Sequence, residues 1–263
     1  MIGGRYDVRL NGISLNDFGE DVIITDIVED EPSEVETVQS MPYANRSYYA
    51  GRVRDGLSVT VTFAIRAYGI IQRTDIYSRI AQWASKPGFL EINDRTGQRL
   101  YIDAAKLPSV GSVRNWTDTV SIQFMAYSKP FWEGCFTAMA SQATATTAAS
   151  MALFAPGNAE SCVLDAKITA TTAITSLTIS CGSDKFILSA SIQPGQVLEI
   201  SHTDDGYLRI TANGQSVLAN RTADSTDEIR LVPGASNAVS ITANGQFTAT
   251  ISTRGAWQFG YQG

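Results

Sequence analysis

A chain of 263 residues and 28.3 kDa exceeds one ordinary domain, so two domains are expected. Hydrophobic residues make up 44% and charged residues 17%, with a net charge of −6, a pI near 4.9 and a mean hydropathy of −0.04. The balance excludes a disordered chain and a helical bundle, and the acidity argues against broad contact with nucleic-acid phosphates. Three cysteines at wide spacing exclude a disulfide scaffold and read as free thiols. The Met1–Asp7 segment lacks a basic start followed by an apolar run. No stretch approaches the roughly 18 apolar residues of a membrane helix, so folding in a cytoplasm is expected.

In chain order, Tyr6–Leu10 alternates with period two and meets Asn11-Gly12, a strong hairpin signal. Val22–Ile24 and Ile27-Val28 continue as strand, and the acidic stretch Glu29–Glu34 follows. Met41–Arg54, aromatic and basic with turn residues, reads as a loop. Leu57, Val59, Val61, Phe63 and Ile65 alternate with smaller residues in a half-buried strand. Ile76, Tyr77, Ile80, Trp83 and Ala84 fall at helical spacing. They predict a helix over 74–85, with Thr74 as cap and Lys86-Pro87-Gly88 as stop. Phe89–Ile92 and Arg99–Asp103 form a predicted hairpin, and Thr119–Tyr127 a further strand.

Residues 137–152 are almost entirely Ala, Thr and Ser and read as a connection between domains. Beyond it, short strands alternate with turns at Gly182-Ser183, Pro194-Gly195, Asp205-Gly206, Asn213-Gly214, Pro233-Gly234 and Asn244-Gly245, the pattern of a sandwich or jelly roll. Expected strands there include Thr175–Cys181, Val197–Ser201, Ser216–Leu218 and Phe247–Ser252. The hexapeptide Ile-Thr-Ala-Asn-Gly-Gln occurs at 210–215 and 241–246 and suggests two similar hairpins. The fold class is therefore mainly β with one helix, divided into residues 1–136, a connection at 137–152, and residues 153–263.

Catalytic chemistry finds little support. The single histidine, His202, lies beside Asp204 and Asp205 without a G-x-S-x-G elbow, and reads as a turn residue. One His and three scattered Cys do not make a zinc site. Asp204, Asp205, Asp224, Asp227 and Glu228 are oxygen donors without EF-hand spacing. Glu91, Asp103 and Glu199 are the apolar-flanked acids a glycosidase would need in pairs. No Gly-rich phosphate loop occurs. The expectation is no enzyme, no metal and no cofactor. Tyr43, Arg46, Tyr48, Tyr49, Arg52 and Arg54 have the composition of a protein interface. Trp132 is expected at the joint between the halves. Tyr207 and Trp257 are candidate sugar-stacking rings, which leaves a carbohydrate-binding β-sandwich protein for host-surface glycan as the alternative reading.

The order Leu10-Asn-Gly12, Phe18-Gly19, a long loop, Gly51–Phe63, one helix with Trp83, and Pro130-Phe131-Trp132 resembles the N-terminal domain of siphophage distal tail proteins. Ile192–Ile200 with its Pro-Gly, Ile210–Gly214, and Ile229–Asn237 followed by Val239–Ile241 resemble that family's C-terminal β-sandwich. The resemblance implies an N-terminal ring-forming domain and a galectin-like C-terminal domain. It also implies a virion structural protein of the phage or prophage tail tip, made in the bacterial cytoplasm and assembled as a hexameric ring. Implied partners are the tail tube protein, the tail-tip hub or tail-associated lysin, and a receptor-binding protein. DNA would pass through the lumen without specific binding.

Overall fold

The computed structural model describes residues 6–30, 34–40, 47–54, 56–108 and 119–258. They divide into two compact units, the first closing at Trp132 and the second opening at Glu133.

The first unit contains β1 (Val8–Leu10), β2 (Ile13–Ser14), β3 (Val22–Asp30), β4 (Glu34–Ser40), β5 (Ser47–Arg54), β6 (Leu57–Ile65), α1 (Ile70–Ala84), β7 (Gly88–Ile92), β8 (Gln98–Ile102), β9 (Ala104–Lys106) and β10 (Thr119–Ala126). One antiparallel sheet runs β8-β7-β1-β2 and another β3-β6-β10-β9, while β4 and β5 pair only with each other. The Asn11-Gly12 turn forms as expected, with both residues at positive φ (54° and 78°). Apolar residues at alternate positions bury Val8, Leu10, Leu90, Ile92, Leu100 and Ile102 from the first sheet. Val59, Val61, Phe63, Ile122 and Phe124 come from the second. Trp83 of α1 ties the two together. Its indole N–H donates to the Leu10 and Ile13 carbonyls (3.3 and 3.2 Å), and its ring meets Phe124 edge-on at 5.9 Å.

Three expectations are corrected in this unit. The helix starts four residues earlier than predicted, capped by extended Gly69 without a side-chain bond, and Thr74 donates its hydroxyl to the Ile70 carbonyl inside the helix. The added turn was hidden because Ile70 and Ile71 point to solvent and off the apolar stripe. The expected loop at 41–54 is strand over Ser47–Arg54, paired with Glu34–Ser40. Val22–Val28 is one strand, with a register irregularity between Ile24 and Asp26.

The second unit contains β11 (Trp132–Ala145), β12 (Ala148–Ala155), β13 (Cys162–Val163), β14 (Asp165–Ala170), β15 (Leu177–Cys181), β16 (Asp184–Leu188), β17 (Val197–His202), β18 (Leu208–Ala212), β19 (Gln215–Ser216), β20 (Arg230–Leu231), β21 (Ala235–Ala243) and β22 (Phe247–Trp257). Its sheets run β19-β18-β17-β14-β22-β11 and β12-β21-β15-β16, with β13 and β20 as a separate pair. Ile168, Leu198, Ile200, Phe247, Ala249 and Ile251 of one sheet and Leu153, Ile179, Phe186, Val239 and Ile241 of the other are buried. The stretch 137–152, expected as a connection, is strand: β12 alternates exposed and buried along its whole length, with Ala149, Met151, Leu153 and Ala155 inward. Small residues hid that period-two signal. Leu218, expected in a strand, sits in a short 3-10 turn over Leu218–Asn220.

The repeated hexapeptide folds in two ways. At 210–215 it makes the β18–β19 hairpin, with Asn213 and Gly214 at φ 48° and 80°. At 241–246 it carries the chain from β21 in one sheet to β22 in the other. There the Asn244 side-chain oxygen Oδ1 accepts from the Thr175 and Ser176 amides, and a Cβ on Gly245 would lie 2.4 Å from the Ala173 backbone carbonyl oxygen. Tertiary contacts, not the local sequence, set the outcome.

Asn237 locks the Leu231–Asn237 turn. Its buried side chain accepts from the Val232 amide (2.8 Å) and donates to the Val232 and Ala235 carbonyls (both 3.1 Å). Asn237→Ala strands these groups, and urea denaturation is expected to show a loss of about 2–3 kcal/mol. Burial alone raises the Asp7 carboxyl, but hydrogen bonds from Ser14, Arg9 and Asn16 outweigh it and hold its pKa below the ordinary 3.8. Asp7 therefore stabilises the fold above that value, and the contribution disappears as pH falls through the depressed folded value. Acid titration of Asp7→Asn is expected to show a flatter loss of stability in that window than the parent chain.

Candidate functional site

Several of the titratable residues singled out in the sequence are engaged by neighbouring side chains or backbone. His202 on β17 holds its Nδ1 2.9 Å from Asp165 Oδ1 on β14. Its side chain is only 5% exposed, and Nε2 is buried without a hydrogen-bond partner. That ring cannot reach a solvent-borne substrate. Asp205 accepts the Thr203 hydroxyl in its own turn, and Asp227 pairs with Arg221 at 2.7 Å. Among the described residues, no three His, Cys, Asp or Glu side chains gather where a metal would sit. Burial pushes the Cys162 and Cys181 thiols up, with Asp184 adding to the effect at Cys181, so neither is an activated nucleophile; Cys135 is exposed. Glu91, Asp103 and Glu199 are not brought together. Asp103 caps the Tyr127 and Ser128 amides (2.6 and 2.9 Å), and Glu199 pairs with Lys167 at 3.1 Å.

The interface candidates separate in the same way. Tyr48, Tyr49, Arg52 and Arg54 lie on β5, opposite Gln39, Val38, Glu36 and Glu34 of β4; Tyr43 and Arg46 lie outside the described residues. Glu34↔Arg54 falls four residues beyond Asp30↔Ser58 on both strands, so β4–β5 keeps the register of β3–β6 as far as a bulge at Thr37/Val38. No third strand joins β4–β5 among the described residues. Trp132, expected at the joint between the halves, is the last residue before the division between the two units and is fully buried. Its indole N–H donates to Glu29 Oε1 (2.8 Å), the Arg95 guanidinium lies 4.8 Å over its ring, and Arg95 pairs with Glu29 Oε2 at 2.6 Å. Both ionic side chains are under a tenth exposed. The partners lie up to 103 residues apart, beyond the reach of any local pattern. Arg95→Met leaves a buried carboxylate unpaired and is expected to cost about 3–5 kcal/mol in chemical denaturation. Adding Glu29→Gln is expected to recover part of that loss.

Tyr207 and Trp257 are not paired either. Trp257 lies over Gly255 and Gly134, where an added Cβ would come within 2.3 and 3.1 Å of its ring. Tyr207 is 72% exposed at the mouth of a cleft on the second unit. Two exposed apolar features were not anticipated. Tyr68, Ile70 and Ile71 stand at the start of α1, with Tyr68 98% and Ile71 83% exposed. Phe136, Met139 and Phe154 are exposed on β11 and β12. A readable signal did exist for the latter: no charged residue occurs between Glu133 and Glu160.

No protein-family model matches the chain, and no curated protein is similar to it in sequence. Solved structures do match. Chains of the phage P2 baseplate in its activated conformations with Ca and with Sr align over 97% and 95% of this chain and 99% and 97% of theirs, at 10% and 9% identity and TM-scores of 0.48 and 0.47. The crystal structure of SPP1 Dit (gp 19.1), described as a paradigm of the hub adsorption apparatus in phages infecting Gram-positive bacteria, aligns over 95% of this chain and 99% of its own, at 10% identity and a TM-score of 0.68. The chain has the fold of that distal tail protein over 95% of its length.

Proposed function

We propose that this chain is a non-enzymatic structural protein of a phage or prophage tail tip. It assembles there as a hexameric ring between the tail tube and the tail-tip hub and surrounds the path of the DNA. The observation that carries the reading is the near-complete two-way coverage of the SPP1 Dit fold, 95% of this chain and 99% of that one. The absence of an assembled catalytic constellation among the described residues is compatible with it but does not carry it.

Surface features supply the contacts such a ring needs. A two-stranded hairpin is marginal in water by itself, so β4–β5 gains from a neighbouring surface. The register brings Arg52 and Arg54 opposite Glu36 and Glu34, and sets Tyr48 and Tyr49 toward the far end of the ribbon. Tyr68, Ile70 and Ile71 form a second apolar contact at the start of α1. In a closed ring these surfaces meet different surfaces of the next subunit, head to tail. The hub or lysin, the tube protein and a receptor-binding protein remain the partners of this reading, in the virion at the tail tip.

Light scattering with negative-stain imaging on the purified chain is expected to give a ring near six times 28.3 kDa, on the order of 170 kDa. Ile71→Asp, at a solvent-facing helical position, is expected to keep the circular dichroism of the parent and shift the particle to smaller mass. A chain that stays monomeric both alone and with its tail tube protein would overturn the proposal.

A further inference from the structure

The cleft beside Tyr207 has an open volume of about 760 Å³, within the range of small-ligand sites. Its lining includes Tyr207, Leu218, Ala219, Arg221, Asp227 and Glu228. Tyr207 is 72% exposed and Leu218 43% exposed, and the Tyr207 phenol makes no hydrogen bond among the described residues. The ring therefore contributes little to the fold for the apolar surface it leaves in water.

Both walls are rigid. Tyr207 closes a turn in which its amide donates to the Thr203 hydroxyl oxygen at 2.9 Å and its carbonyl accepts from the Thr203 amide at 2.9 Å. Arg221 bridges Leu188, and the residues around it run along β16 through Asn220 to Ser189, Thr222 to Ile187 and Thr226 to Lys185. The Ser225 hydroxyl adds a two-way bond to the Ile187 backbone. A ligand would meet side chains whose backbone is already ordered, which lowers the cost of binding.

From this geometry we infer that the cleft is a binding site for a neutral saccharide. A pyranose presents an apolar C–H face to an aromatic ring and a rim of hydroxyls that both donate and accept. Tyr207 with Leu218 supplies the first surface. Arg221 and Asp227, 2.7 Å apart, supply donors and acceptors side by side, and Glu228 adds an acceptor. The charges select among sugars. One guanidinium against two carboxylates leaves the lining net negative, which disfavours uronates, phosphates and anionic lipid headgroups. A second large cleft among the described residues, at Cys181, Asp184, Arg230 and Asn237, has no aromatic ring, and its Asn237 amide is committed to the Val232–Ala235 turn. All the residues of this site belong to one unit of one chain, so no second copy is needed to complete it.

Saturation-transfer NMR on the full chain tests it, with the methyl glycosides of glucose, galactose and N-acetylglucosamine as probes at about 10 mM. Glucuronate and glycerol phosphate serve as anionic comparisons. At least one neutral probe is expected to receive saturation, strongest on its ring C–H protons. Tyr207→Ala is expected to weaken that binding on the order of tenfold, and Tyr207→Phe to preserve it, since the ring and not the hydroxyl does the stacking. Arg221→Ala is expected to weaken it too. Thermal unfolding of Tyr207→Ala should match the parent, which separates lost binding from lost structure. No transfer to any neutral probe, transfer unchanged by Tyr207→Ala, or transfer to the anionic probes alone would each overturn the assignment.

Discussion

A carboxylate and a guanidinium buried against an indole set the geometry of the first unit. Glu29 lies one residue from the end of β3, Arg95 lies in the β7–β8 turn, and Trp132 opens β11. Desolvating two charges is costly, and the pair is tolerated because each oxygen of Glu29 has a donor and Arg95 also faces a π-surface. The arrangement ties the end of β3 to the β7–β8 turn and to the first residue of β11. Next to it, Asp30 accepts the Ser58 hydroxyl, and Ser58 in turn accepts from Gln123 at 3.1 Å. The pairing of β3 with β6 is thus pinned at the last step before β4–β5 takes up the same register.

Strand edges show where the chain is finished and where it is not. Along β16, the segment 220–226 covers backbone groups that would otherwise be bare, using Asn220, Thr222, Ser225 and Thr226. At the opposite side of that sheet, β12 pairs with β21 alone among the described residues and carries no charge. Proteins that function as monomers normally blunt such an edge with lysine, proline or a cover. One covered edge and one plain edge in a single sheet, together with the isolated β4–β5 ribbon, are what a subunit of an assembly can tolerate.

Legibility in the sequence followed the range of the interaction. Asn11-Gly12 and Asn213-Gly214 were readable because positive φ is a property of the two residues themselves. Leu57–Ile65 was readable because its alternation reports one buried face, although its ends are buried on both. The β4–β5 ribbon was missed because a stretch rich in Tyr and Arg with turn residues among them has loop composition. The 137–152 stretch was missed because Ala, Ser and Thr differ too little in polarity to show a period. The core partners Asp165–His202 and Glu29–Arg95–Trp132 left no local trace. Of the two rings singled out in the sequence, Tyr207 lines a cleft with Arg221 and Asp227, a grouping of side chains that no local pattern announces.

The same distinction explains how an order of turns can mark a fold when only 10% of residues are shared with SPP1 Dit. Core positions need only apolar volume and the right period, so many residues serve and identity drifts. A turn that must hold positive φ, or satisfy three backbone groups with one side chain, has few solutions. Gly195 and Gly234 sit at φ 82° and 74°, and their amides bond the carbonyls of Ala170 and Ala155, at the ends of β14 and β12. Asn237 completes the second turn from inside. These positions hold the chain where it enters and leaves strands of both sheets of the sandwich. The motifs that made the resemblance visible are thus structural constraints of the fold, and they are silent about partners. Evidence for partners has to come from the surfaces those turns leave exposed.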